Sequence, residues 1–364
     1  MSGTLPAYGG EQDVMRAPAG PREPGAPLRG RPTVSVIIPV HDGGGDFETC
    51  LRGVASAAPA PEEVIVVADG GTDGSATLAE RLGMHVLKTP ARRGPAVARN
   101  LGARAARGDV LLFLDADVLM PAAVVGQVAE FFHRHPSMAA VIGSYDDAPA
   151  APNFLSQYKN LLQHYVHQQS PEEGFTFWGA CGAVRRDVFL ALGGYDEAFR
   201  LPSIEDIEFG YRLKAAGHRI HVSKALQVKH LKRWTAAALL RSDFCRRALP
   251  WTRLILRTGR FDNGLNISRS SRLKVALVYV LWGLLGLACW WPAVGLALAA
   301  LVAGTLLALD APLLNFFRRR RGLLFAVRTV PWHWLYYSYS GLAFAAGLAW
   351  YGLRGRREKR GGGR

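Results

Sequence analysis

The 364-residue sequence predicts an α/β domain followed by C-terminal transmembrane helices, and three observations carry that prediction. Between about residues 32 and 235, short apolar runs of strand length alternate with helix-compatible stretches, and each run ends in a polar or glycine-rich turn. Such alternation favours a parallel, doubly wound sheet. From Leu273 the chain changes to apolar runs about a membrane span long; a helix needs roughly 20 such residues to cross the hydrocarbon core. The charge divides near the same place. Residues 229–364 hold 23 Lys and Arg against 4 Asp and Glu, while residues 1–228 hold 21 against 25, so the net +15 belongs to the C-terminal third.

Taken in order, residues 1–31 are polar and rich in Gly and Pro, carry no basic-then-apolar signal, and read as a disordered lead-in. VSVIIPV follows as a buried strand halted by Pro39 and the turn HDGGG, with a helix from about Phe47. EEVIVVADGGTDGS repeats the logic: apolar residues 64–67 end at Asp69 and Gly70, and a helix runs through LAERLG. MHVLKT, the helical PAVARNLGARAARG and the strand VLLFLDADV continue the alternation. VVGQVAEFFHRH is helix-compatible, MAAVIGSY reads as a strand, and residues 146–177 look irregular. IEDIEFGYRLKAAGHRI reads as a helix opened by acids, which suit a helix N-terminus, and closed by Gly217.

Residues 236–272 form a basic juxtamembrane segment, in which Arg246, Arg247, Arg253 and Arg257 suit an anionic leaflet or a lipid phosphate as well as they suit a solvated helix face. In the membrane region, residues 273–353, LKVALVYVLWGLLGLACWW is one span and Pro292 interrupts it. AVGLALAALVAGTLLALDAPLLNFF is a second, with Asp310 the residue that argues against it. The arginines at 318–321 mark a cytoplasmic edge. A third run, about 332–353, begins with Trp and Tyr as interfacial belts do. Its crossing stays open, because the basic tail at 354–364 would then lie opposite the arginine tetrad. Basic residues that flank apolar runs rather than striping a soluble domain argue against nucleic-acid binding. Four scattered cysteines with no CxxC pair argue against a metal knuckle or a disulfide framework and fit a reducing compartment.

The chemistry is carried by acids at the ends of these elements. LLFLDADVLM ends an apolar run with Asp115 and Asp117, one residue apart. Buried carboxylates would be costly, so the pair belongs at the strand's carboxyl end, where open α/β sheets form their ligand crevice. Asp-x-Asp can hold a hard divalent cation bridging substrate phosphates. Asp69 and the pair Glu205/Asp206 occupy similar positions. Each alone reads equally well as a turn or a helix cap.

In order and spacing, VSVIIPVHD, VVADGGTDGS, GPAVARNLGARAARGDVLLFLDADV, GGYDEAF and IEDIEFGYRLKAAGHRI resemble the family 2 glycosyltransferases. The resemblance covers about residues 33–230 and implies the GT-A fold, a nucleotide-sugar-binding, Rossmann-like mixed sheet, over residues 32–235. It implies that Asp69 contacts the nucleotide base, with Pro39 and Arg99 also on the donor side, and that Asp115 and Asp117 hold the ribose and a Mg²⁺ or Mn²⁺ ion. His230 falls where a histidine lies close to metal and diphosphate, and Asp206, beside Glu205, matches the catalytic base. Trp178, Arg246, Arg247 and Trp251 are candidates for the acceptor or a lipid phosphate.

The implied activity is a metal-dependent, inverting transfer of a sugar from a nucleotide sugar to a lipid-linked or saccharide acceptor. The implied place is the inner membrane, with several spans and a cytoplasmic catalytic domain. Two departures matter. The turn reads Ala68-Asp69-Gly70-Gly71 where the family shows two acids and Gly-Ser, which leaves base recognition to Asp69. The Gln-x-x-Arg-Trp motif of processive synthases is replaced by CRRALPW, which favours single transfer. The alternatives are a polyprenyl-phosphate glycosyltransferase and a non-catalytic membrane-anchored sugar-nucleotide-binding protein. A dinucleotide-dependent oxidoreductase lacks its G-x-G-x-x-G in both HDGGGDF and ADGGTDG.

Overall fold

The computed structural model describes residues 30–259 and 268–361, with side chains of the last helix as far as Tyr351. The expected lead-in, apart from residues 30 and 31, and part of the expected juxtamembrane segment and basic tail lie outside the described residues. The first half of the sheet follows the alternation: β1 (Val34–Val40), α1 (Gly44–Ala55), β2 (Glu63–Asp69), α2 (Ser75–Arg81), β3 (His85–Thr89), α3 (Pro95–Ala105) and β4 (Val110–Leu114). β1 pairs in parallel with β2 and β4, and β2 with β3. Residues such as Ile37, Val66 and Leu112 are fully buried, as a sheet covered on both faces requires. Pro39 is tolerated in a central strand because pairing with β4 ends at Ile37, so its missing N–H costs no ladder bond on that side.

Beyond β4 the sheet is mixed, not parallel throughout as the alternation alone predicts. β5 (Val118–Leu119), α4 (Val124–Arg134), β6 (Ala140–Tyr145), α5 (Phe154–Gln169), β7 (Glu173–Gly174), β8 (Cys181–Arg185), α6 (Arg186–Ala191), α7 (Glu205–Ala215) and β9 (Ile220–His230) complete it. The order is β3-β2-β1-β4-β8-β6-β9-β5, with β7 also on β9. β8 runs antiparallel to β4 and β6. This reversal brings the segment before β8, with Trp178 and Gly179, to the carboxyl end of β4.

The region expected to be irregular contains the 16-residue helix α5. Phe154, Tyr158, Leu161 and Tyr165 recur at helical spacing, and Tyr158 and Leu161 pack on Leu313 and Phe317 of the C-terminal helices. After β9 come α8 (Ala236–Arg241), capped by Thr235, whose hydroxyl accepts from the Ala238 N–H at 3.3 Å, then a π-helical turn (Ser242–Ala248) and α9 (Leu249–Thr258). Three long helices close the chain: α10 (Arg269–Leu287), α11 (Pro292–Arg321) and α12 (Leu323–Gly361).

α10 and α11 are long and apolar enough to cross a membrane, with mean hydropathies of 1.3 and 2.2 over their most apolar windows. Large apolar residues face outward on both, among them Leu273 of α10 at 52% and Leu301 of α11 at 67% exposure. Asp310, which argued against a span, points inward: it is 2% exposed, pairs with Lys274 of α10 at 2.8 Å and accepts from the Tyr337 hydroxyl at 2.9 Å. Tyr337 is joined to His333, and His333 to Tyr158 of α5, so the polar line ends in the sheet domain. The third apolar run lies within α12, which touches α10 closely where Gly341 has no side chain: a Cβ there would overlap the Tyr279 ring.

Candidate active site

The acids stand where the strands end. Asp69 closes β2 and is 3% exposed. Its Oδ1 accepts from the Thr89 hydroxyl and the Arg93 N–H, both at 2.8 Å, and its Oδ2 accepts from the Gly94 N–H at 2.7 Å. In this structure Asp69 therefore fixes the loop between β3 and α3. Gly94, at φ 100°, has a backbone that disfavours side chains, and a Cβ there would also overlap the Arg200 carbonyl.

Arg99, on α3, lies at the centre. Its Nη2 donates to Asp115 Oδ1 at 2.7 Å and its Nη1 to Glu205 Oε1 at 2.9 Å. Burial works against its charge, but Asp115 and Glu205 outweigh burial and raise its pKa. A buried guanidinium forked between two carboxylates is a geometric fastener: it ties the end of β4 to the start of α7. Glu205 is 4% exposed, and its second oxygen accepts from the Ser203 N–H, so it is committed to this structure.

Asp206, the next residue, is half-buried and accepts from the Gly179 N–H at 3.0 Å. Burial and the neighbouring Glu205 charge raise its carboxyl to about 6, against the pull of Gly179, Arg99 and Arg247. Of the two adjacent acids, Asp206 is the one on a cavity wall.

On the other side of Asp115, Asp117 Oδ2 lies 3.8 Å from His230 Nε2 and 3.3 Å from Lys232 Nζ. His230, at the end of β9, stacks on Tyr145 at 4.2 Å, and Tyr145 meets Trp178 edge-on at 4.8 Å. Burial opposes ionisation of Asp117, but the hydrogen bond and charge of His230, with Lys232, hold its carboxyl well below the usual range. A carboxylate oxygen and an imidazole nitrogen converging on one point fit a divalent ion of the Mn²⁺ kind, with substrate phosphates completing its shell. Asp115 is turned to Arg99, and among the described residues no cluster of three His, Cys, Asp or Glu forms.

A cavity of about 510 Å³ opens from Asp206 towards α9, α10 and α12. Of the expected acceptor contacts, Trp178, Arg247 and Trp251 line it. Arg246 does not: its carbonyl accepts from the Ser203 hydroxyl at 2.7 Å. Pro39 stays half-buried in β1. Sequence reading missed Lys159, which grips Asp243 at 2.6 and 2.7 Å, and the Tyr339 hydroxyl on the same acid at 2.7 Å. It also missed Lys232 beside Asp117. The only available signal was the position of Lys232 two residues past His230.

Residues 35–193 match the family model described as Glycosyl transferase family 2. The validoxylamine A glucosyltransferase of Streptomyces hygroscopicus subsp. limoneus is 30% identical over 53% of this chain and 50% of its own length. A pre-mycofactocin glycosyltransferase of Mycobacterium tuberculosis is 28% identical over 60% of this chain and 47% of its own. The chain thus spans about half the length of these curated relatives. Among solved structures, the mannosyltransferase PcManGT from Pyrobaculum calidifontis, in complex with GDP-Man and Mn²⁺, superposes with a TM-score of 0.55 at 20% identity, over 88% of this chain and 89% of that one. Sheet order, acid positions and sequence match agree: the chain carries, over residues 35–193, a glycosyl transferase family 2 domain on the GT-A fold.

Proposed function

We propose that the protein is a membrane-anchored inverting glycosyltransferase that moves one sugar from a nucleotide sugar to an acceptor held at the membrane surface. The observation that carries this reading is the position of Asp206, at the start of α7 beside a family 2 domain's acids and on the wall of a cavity that runs from there to apolar helices. The solved neighbour's complex with GDP-Man and Mn²⁺ supports a nucleotide-sugar donor and a divalent ion.

Asp117 and His230 would hold the ion. When bound, it would supply Lewis-acid stabilisation of the departing diphosphate. The rest falls to the chain's own side chains. Arg99 holds Asp115 at the donor edge and, through Glu205, holds the N-terminus of α7 against it. The Gly179 N–H keeps Asp206 aimed into the cavity, and a carboxylate with a pKa of about 6 is mostly ionised at neutral pH yet basic enough to take a hydroxyl proton. As the acceptor oxygen forms its bond to the anomeric carbon, the bond to the diphosphate breaks and the proton passes to Asp206. One displacement inverts the centre. The exposed apolar faces of α10 and α11 support anchoring, and the arginines at 318–321 support a cytoplasmic catalytic domain.

The test is binding of a panel of nucleotide sugars to the purified protein, with Mn²⁺ and with chelator, beside Asp117→Ala. Metal-dependent binding of a donor that the variant loses is the expected result. Binding of no donor under either condition would leave a non-catalytic membrane protein.

A further inference from the structure

Strand pairing decides which side chains crowd Asp117. β5 runs antiparallel to β9 with Val118 opposite His230 and Leu119 opposite Lys229, and the pairing extends one step further, where the Leu231 N–H donates to the Asp117 carbonyl at 2.9 Å. Side chains alternate faces along an extended chain, so His230 and Lys232 fall on one face and Lys229 on the other. The contacts follow that rule. Lys229 pairs with Asp146 at 2.7 Å, while Lys232 Nζ at 3.3 Å and His230 Nε2 at 3.8 Å both face the same oxygen, Asp117 Oδ2.

That oxygen is the one a divalent ion would use, and an ammonium 3.3 Å away competes for it. Two cations cannot share it without the repulsion of like charges. Lys232 has a second hold: its Nζ lies over the Trp234 ring, 4.9 Å from the centroid. Trp234 is a fixed platform. It is buried, its backbone N–H donates to the Ser156 hydroxyl at 2.7 Å, and its carbonyl accepts from the Asn153 side chain at 2.8 Å. The ring face attracts an ammonium whether or not Asp117 is engaged. The half-exposed lysine can therefore turn away from Asp117 and stay beside the site.

We propose that Lys232 is an internal counter-ion that competes with the divalent ion for Asp117 in the nucleotide-free protein and is released by the donor's diphosphate. The diphosphate takes the ammonium that Asp117 gives up, so the ion is held weakly until the nucleotide arrives. The competition rests on the ion reading of Asp117 and His230; the release rests on the transferase reading as well.

The test is titration of Mn²⁺ into the full chain in detergent micelles, followed by loss of the free ion's electron paramagnetic resonance signal, first without nucleotide and then with UDP or GDP. Without nucleotide, Lys232→Met, which keeps the hydrocarbon stem on Trp234, is expected to bind Mn²⁺ roughly three- to tenfold more tightly than wild type. The gain is modest because the lysine is half-exposed and screened. Lys232→Gln should match it, which keeps the test open if one variant does not fold, and Lys232→Arg, which keeps the charge, should stay near wild type. With Mn²⁺ present, Lys232→Met should bind the nucleoside diphosphate roughly three- to tenfold more weakly. Asp117→Ala should lose the Mn²⁺ site, and adding Lys232→Met to it should change nothing. Equal or weaker Mn²⁺ affinity of Lys232→Met and Lys232→Gln without nucleotide overturns the proposal. So does a gain that survives Asp117→Ala. Tighter Mn²⁺ binding by Lys232→Met in a protein that binds no nucleotide or nucleotide sugar keeps the competition and removes the release together with the transferase reading. Metal-dependent donor binding with no effect of Lys232 on Mn²⁺ keeps the transferase reading and removes the counter-ion.

Discussion

The sheet domain and the C-terminal helices handle charge in opposite ways. In the sheet domain the apolar residues are inside, and most charges are placed at the strand ends and the surface. In α10–α12 the large apolar side chains face outward, while Lys274, Asp310, His333 and Tyr337 form a hydrogen-bonded line inside. Each arrangement is the low-energy one for its surroundings. Water solvates exposed charge and penalises exposed leucine; hydrocarbon does the reverse and makes an unpaired internal charge expensive. The difference supports the proposal that one chain serves two solvents, with the cavity between the two regions.

The largest effect is expected on the water side. Asp206→Asn should lower transfer to a hydroxyl acceptor by about 10²- to 10⁴-fold while donor binding stays within twofold, measured by single-turnover transfer and by titration. A fall of less than tenfold would mean that the nucleophile needs no base, as an acceptor phosphate would not. The same carboxyl sets a pH limit: the wild-type rate should rise with pH through about 6 and level off above it, because only the ionised form accepts a proton. Stability should respond in the opposite sense. A carboxyl with a raised folded-state pKa favours folding when protonated, a contribution complete below its ordinary pKa near 4 and lost as pH passes about 6.

On the other side, Asp310→Leu leaves Lys274 buried without its partner and should cost about 3–5 kcal/mol in reversible unfolding in micelles. Lys274→Leu combined with Asp310→Leu should recover most of that, and failure to recover would break the comparison, because the pair would then be doing more than neutralising itself. Asp69→Ala removes one acceptor from three donors in residues 89–94 and should cost about 1–3 kcal/mol, with faster proteolysis of that loop. Smallest is Thr235→Ala, which loses the cap of α8 and should cost about 1 kcal/mol in chemical denaturation.

The parts of this architecture legible in the sequence are those with a local period. The strands ending at Asp69 and Asp115, the acid-opened α7 and the long runs of α10 and α11 each announce themselves within about 20 residues. α5 was legible in principle from Phe154, Tyr158, Leu161 and Tyr165, but its polar spacing residues, which serve the cavity and the sheet, dilute the pattern. What no local reading contains is the set of partners. Arg99 meets Glu205 106 positions along the chain, Lys232 meets Asp117 115 positions away, and Tyr339 reaches Asp243 across 96. Resemblance supplied roles for Asp206 and Asp117, but it did not distinguish Glu205, spent on Arg99, from its neighbour, free to face the cavity. That distinction depends on which oxygens other groups already occupy. The reversal of β8 was likewise invisible, since an apolar strand reads the same in either direction.

The glycine at position 94 has a consequence for redesign. Its N–H is tied to Asp69, and its missing side chain lets the Arg200 carbonyl rest against it, five residues before α7 begins. The loop between β3 and α3 and the lead into α7 therefore share one point of contact with no slack. Exchanging residues 89–94 for those of a relative would therefore disturb the segment before Glu205 as well, and the graft would work only if that segment were carried with it.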